Sequence, residues 1–214
     1  MKYKHSKPTR KVTSVKRTLS FLWIRRLSLI TLFFTGACGL IYEVTWHRYL
    51  ANLVGSESRA SALILAVFLG GLAIGYEIFG RLSTNRSPRA LIKMMGWLEI
   101  GIGVWAIVFP SLYDMTWTQV ASGAGFTRLG LVSDAFLAVE LILVPTVLMG
   151  GTLPLLTQAF SLDLQGSTRV HALIYSMNTL GAFLGCLAAG FILIPQLGLP
   201  LTLLTTSFVN LIAG

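Results

Sequence analysis

The sequence predicts an all-α protein, a polytopic membrane helical bundle of about six transmembrane helices. Three observations carry the prediction. Of the 214 residues, 54% are hydrophobic and only 12% are charged, with a mean hydropathy of +0.74. A soluble domain carries about 25% charged residues, so lipid must solvate part of this chain. Apolar runs also recur along the chain, and five of them reach the roughly 20 residues that cross a hydrocarbon layer. Finally, the basic residues are clustered: nine of the 17 Lys and Arg residues lie within residues 1–26, which hold no acidic residue.

The elements follow in order. Residues 1–26 read as a basic cytoplasmic tail. Beside an apolar helix, such a tail marks the anionic membrane face rather than nucleic acid, for which no motif follows. The transmembrane domain is read as residues 27–214. Helix one covers about 27–54. It begins like a signal peptide, but it continues past Thr35-Gly36-Ala37-Cys38 into Glu43, Trp46 and Arg48, so it is read as retained. Helix two covers about 60–79, and a basic loop from Gly80 to Arg89 follows. Helix three covers about 90–113. The more polar stretch 114–133, with Gly123, Gly125 and Gly130, has room for a short interfacial helix. Helices four and five cover about 134–160 and 170–194. A turn from Pro195 to Pro200 leads to a sixth run, 200–214, which stops without a polar flank. The chain therefore reads as truncated at its C-terminus.

Orientation follows from charge. The tail and the loop residues Arg81, Arg86, Arg89 and Lys93 hold 13 of the 17 basic residues. The positive-inside rule puts both in the cytoplasm. Helix contacts are legible as small-residue stripes: Gly71 and Gly75 in helix two, and Gly181, Gly185 and Ala189 in helix five. Such stripes let two backbones approach closely in lipid. Cys38 and Cys186 lie in apolar runs and suit the role of small hydrophobes.

Several segments together carry a resemblance. They are Gly39-Leu40-Ile41-Tyr42-Glu43-Val44-Thr45-Trp46-His47-Arg48, Phe68-Leu69-Gly70-Gly71-Leu72-Ala73-Ile74-Gly75 and Leu98-Glu99-Ile100-Gly101-Ile102-Gly103. Further along come Pro145-Thr146-Val147-Leu148-Met149-Gly150-Gly151-Thr152-Leu153-Pro154, Tyr175-Ser176-Met177-Asn178-Thr179-Leu180-Gly181-Ala182 and Gly190-Phe191-Ile192-Leu193-Ile194-Pro195. From about residue 35 onward the chain resembles the membrane sector of spermidine synthase-like membrane proteins, the fused major-facilitator/spermidine synthase group. The resemblance implies a bundle like half of a major-facilitator transporter, in a bacterial inner membrane. In longer members it implies a following cytoplasmic domain similar to polyamine aminopropyltransferases. Catalysis by that domain is not carried over to these residues. Gly150-Gly151-Thr152-Leu153-Pro154 lies in an apolar run with no preceding strand, so it does not serve as a nucleotide-binding turn.

Ionisable groups inside the membrane cost about 2.5–3.5 kcal/mol each on insertion scales. They persist when paired, water-lined or functional. The candidate intramembrane polar site comprises Glu43, Trp46, His47, Arg48, Glu99, Glu140, Tyr175 and Asn178. Glu43 and His47 are four apart and share a helix face. Glu43 is expected to pair with His47, Arg48 or Asn178, either in a cavity for a cation or proton or in a structural cluster near the interface. Glu99 and Glu140 would suit a polyamine-like cation if they converge, and separate helix contacts if they do not. Pro145, Gly150, Gly151, Thr152 and Pro154 form a helix-break segment. Proline removes a backbone donor there, and Tyr175 and Asn178 are placed to cap the freed carbonyls.

Two functional readings result. One is a transport-like or small-cation-binding membrane domain acting with a synthase-like domain. The other is a non-catalytic scaffold or accessory subunit of a larger membrane complex. Expected partners are the lipid bilayer, other membrane subunits or further copies of the chain, and a cytoplasmic synthase-like domain. The sequence signals no cofactor and no metal site.

Overall fold

Long apolar runs without period-two alternation form helices. The computed structural model describes residues 10–122, 131–160 and 164–214, and no strand occurs among them. The helices are α1 (Arg10–Val54), α2 (Glu57–Ser83), α3 (Pro88–Ser122), α4 (Leu131–Gly150), α5 (Thr152–Phe160), α6 (Leu164–Ala188) and α7 (Ile194–Ala213), with a π-helical turn at Ala189–Leu193. Five stretches are long and apolar enough to cross a membrane: Arg26–Val54, Glu57–Ser83, Pro88–Val120, Val132–Phe160 and Thr168–Ala213.

Local chemistry sets the helix ends. Gly55 stops α1 at φ 70°, a left-handed conformation that suits glycine, and its N–H donates to the Ala51 carbonyl at 2.9 Å. Ser56 then caps α2, accepting from the Arg59 N–H at 3.4 Å. The basic loop turns through Asn85, and Pro88 occupies the first position of α3.

The elements differ in places from the apolar runs. α1 begins at Arg10, so the later part of the basic tail is helical. α3 runs on to Ser122 through much of the polar stretch, and Gly123, Gly125 and Gly130 lie outside the described residues. The fourth run is split at Gly151 into α4 and α5. The fifth and sixth runs fall in one stretch, broken by Gly198 at φ 74° and ψ 173°. Pro195 and Pro200 flank that break and supply no N–H. Just before it the turn widens, and the Ile194 N–H reaches back to the Ala189 carbonyl.

Glycines fix the closest helix pairs. α1 packs most extensively on α6, α2 packs on α4, and α7 packs against both α1 and α3. A Cβ added to Gly181 would collide with the Phe33 carbonyl, and one on Gly185 with the Ala37 carbonyl. On the other pair, Gly71 meets Thr146 and Gly75 meets the Val147 carbonyl, while Gly150 meets Leu72. The contacts advance in the same direction along both members of each pair, so α1 and α6 run parallel, as do α2 and α4.

Two apolar cores result. One lies toward the α1–α2 turn and includes Tyr42, Trp46, Leu50, Phe109 and Leu141. The other lies toward the α2–α3 turn and includes Leu32, Leu91, Leu98, Leu156 and Phe160. Between Leu98 in one core and Ile102 in the other stands Glu99.

Candidate functional site

At this waist the bundle encloses a cavity of about 150 Å³. Its polar lining comprises Thr35, Tyr76, Glu99, Thr152, Asn178 and Asn210. Phe68, Leu72, Ile102 and Met149 supply apolar wall. Glu99 on α3 is 1% exposed and Asn210 on α7 is 2% exposed. The Asn210 amide Nδ2 donates to Glu99 Oε2 at 2.8 Å. The other oxygen of each group, Glu99 Oε1 and Asn210 Oδ1, is buried without a hydrogen-bond partner. A buried polar atom left unpaired is costly, so the waist presents two open acceptors side by side. α7 delivers further buried polar groups at helical spacing, Thr202, Thr206 and Ser207, but these are satisfied by their own helix carbonyls. Cys38 on α1 reaches the Thr206 carbonyl at 3.8 Å.

The predicted site residues divide into separate places. Glu99, Asn178, Gly150 and Thr152 all line the waist cavity. Glu43, His47 and Arg48 line a different groove of about 380 Å³ with Glu57, Ser61 and Cys186. There His47 Nε2 lies 2.9 Å from Ser61 Oγ and 3.7 Å from Glu57 Oε2, and Arg48 lies 3.6 Å from Glu57 Oε1. The expected Glu43–His47 pair is therefore replaced by contacts from α1 to the start of α2, since Glu57 caps that helix just across the turn. Trp46 faces elsewhere again: it is 1% exposed and stacks between Tyr42, at 5.3 Å, and Phe109, at 5.6 Å. Adjacent positions on a helix are about 100° apart, so a neighbour of His47 need not share its face.

Glu140 and Glu99 do not converge. Glu140 is exposed on α4, whereas Glu99 is sealed inside. Tyr175 is 57% exposed on α6 and caps nothing at the helix break. Asn178 instead meets α1, where its carbonyl and side-chain oxygen lie against Gly36.

The break is satisfied by other groups. Thr152 Oγ1 donates to the Met149 carbonyl at 2.9 Å, and the Gly151 N–H donates to the Leu148 carbonyl at 3.1 Å. Pro145 cannot donate to the carbonyl four residues before it, Leu141. Trp105 Nε1 on α3 fills that place at 3.0 Å. Sequence reasoning missed Trp105 and Asn210. The first was findable by asking which carbonyl Pro145 orphans, and the second from the stripe Thr202, Thr206, Asn210 at four-residue spacing.

The comparisons with known proteins agree with the resemblance at a coarser level. No family model matches the chain, and no solved structure does. Polyamine aminopropyltransferase 2 of Streptomyces coelicolor is 27% identical over 191 residues, which is 89% of this chain and 33% of that protein. Polyamine aminopropyltransferase 1 of the same organism is 25% identical over 191 residues, covering the same shares. Polyamine aminopropyltransferase of Mycobacterium tuberculosis is 29% identical over 184 residues, 84% of this chain and 32% of that protein. The chain thus spans about a third of the length of the curated relatives it matches, and over most of its own length it is a distant homologue of proteins named polyamine aminopropyltransferase.

Proposed function

We propose that this chain forms the membrane domain of a spermidine synthase-like protein and binds a small cation at its waist. The observation that carries the reading is the Glu99 carboxylate, sealed between two apolar cores with one oxygen open to a cavity. A buried ionisable group in a membrane bundle is a functional-site hypothesis by default, and an acceptor-only oxygen calls for a positive or donating occupant. In this reading the bundle resembles half of a major-facilitator transporter. It crosses the bacterial inner membrane six times, with Gly198 dividing the last long stretch into two crossings and the N-terminus in the cytoplasm. Aminopropyl transfer, where it occurs, belongs to a cytoplasmic synthase-like domain.

The test is the thermal unfolding of the protein in lipid nanodiscs with chloride salts of inorganic and small organic cations at matched ionic strength. A small cation should raise the unfolding temperature, while the bulky tetraethylammonium should not. Equal unfolding temperatures in every salt would sink the reading.

The scaffold reading has its own support. Glu140 is exposed within an apolar stretch of α4, where a lone carboxylate facing lipid is expensive. A neighbouring transmembrane segment with a donor at that position would relieve the cost. This reading predicts co-purifying membrane subunits, or pairing of copies that is lost on Glu140→Leu.

A further inference from the structure

The waist cavity also contains information about the charge of its occupant. Glu99 is the single ionisable carboxylate among the residues that line it; the other polar groups, Thr35, Tyr76, Thr152, Asn178 and Asn210, are neutral at physiological pH. The second predicted carboxylate, Glu140, is on the exterior. One fixed negative charge compensates one positive charge. A second cation enclosed in the same low-dielectric space would stay unpaired, and the desolvation of an unpaired ion costs several kcal/mol.

The open acceptors narrow the chemistry further. Glu99 Oε1 and Asn210 Oδ1 are two buried oxygens in need of donors. A divalent metal ion such as Ca²⁺ takes six to eight oxygen ligands, more than this wall presents. An –NH₃⁺ group has three N–H donors and no acceptor, so it can satisfy both oxygens at once. Away from Glu99 the wall is Phe68, Leu72, Ile102 and Met149, which suits an alkyl stem. A cavity of this volume takes a molecule of about six heavy atoms. α3 and α6 share no substantial contact, so Glu99 and Asn178 face the cavity from opposite sides.

We propose that the waist is a binding site for a primary monoammonium ion with a short apolar stem, and that it discriminates against diammonium ions of the same length. The proposal rests on the cation-binding reading above and specifies its ligand.

The test is titration calorimetry of the full chain in nanodiscs with n-butylammonium and with 1,4-diammoniobutane. The expected result is binding of n-butylammonium and a dissociation constant at least about tenfold weaker for the diammonium ion. Glu99→Gln, with unchanged size-exclusion and circular-dichroism profiles, should lose the n-butylammonium signal. If that variant does not fold, Asn178→Asp serves instead: a second carboxylate across the cavity should move the ratio toward the diammonium ion, and an unmoved ratio overturns the proposal. Equal or tighter binding of the diammonium ion to the unaltered protein overturns the proposal but leaves the cation-binding reading standing. Absence of binding by both amines, together with no stabilisation by any inorganic cation, removes both.

Discussion

The waist and the groove near the α1–α2 turn both hold a glutamate on an apolar helix, yet they are built differently. At the waist, Glu99 is 1% exposed, its hydrogen-bonded partner comes from α7, and its second oxygen has none. In the groove, Glu57 is 64% exposed and meets His47 and Arg48 at 3.6 Å or more. The first arrangement binds two distant helices and leaves capacity for a ligand. The second fastens a turn whose groups water can reach. Charge in a membrane protein therefore informs about function only once its enclosure is known.

This contrast can be broken by mutation. The largest effect is expected from Asn210→Leu, which strips the donor from a sealed carboxylate. Loss of a buried hydrogen bond to a charged group costs about 1.5–3 kcal/mol, to be read from denaturant unfolding in mixed micelles. A cost no larger than that of a groove variant would erase the distinction drawn here.

Next comes the packing that holds the waist in place. Gly181→Ala drives a methyl into the Phe33 carbonyl, and overpacking of this kind costs about 1–3 kcal/mol. Gly190→Ala, with nothing within 4 Å of the added Cβ, is the internal control and should be neutral or slightly stabilising. Equal destabilisation by both would mean that α6 does not meet α1 along this stripe.

The smallest effect belongs to the groove. Glu57→Gln removes exposed ion pairs worth about 0–1 kcal/mol, and the loss should shrink further when the same unfolding is repeated in high salt. A loss comparable to that of Asn210→Leu would make the groove the structural centre instead.

Much of this arrangement was legible beforehand, because its signals are local. Run length gave the helices, and the stripes Gly71/Gly75 and Gly181/Gly185 lie at close helix crossings. The interruption expected between Pro145 and Pro154 occurs at Gly151. Facing was harder to read. In a soluble helix an apolar stripe marks the inside, but in lipid both faces are apolar and only small residues betray a contact. Glu99 and Glu140 therefore look alike in sequence, although one is enclosed and the other exposed. The partner of Glu99 stands 111 residues away, a relation that no short-range pattern carries.

The parallel pairing of α1 with α6 has a consequence for biogenesis. Gly36 and Ala37 are made early, but their partners Asn178 and Gly185 come near the end of the described residues. At ordinary translation speeds of about 5–20 residues per second, that gap lasts roughly ten seconds or more. Throughout it, the closest-fitting surface of α1 has no protein neighbour. An insertase that shelters the nascent first helix until the sixth arrives would act at the step where assembly is most exposed to error.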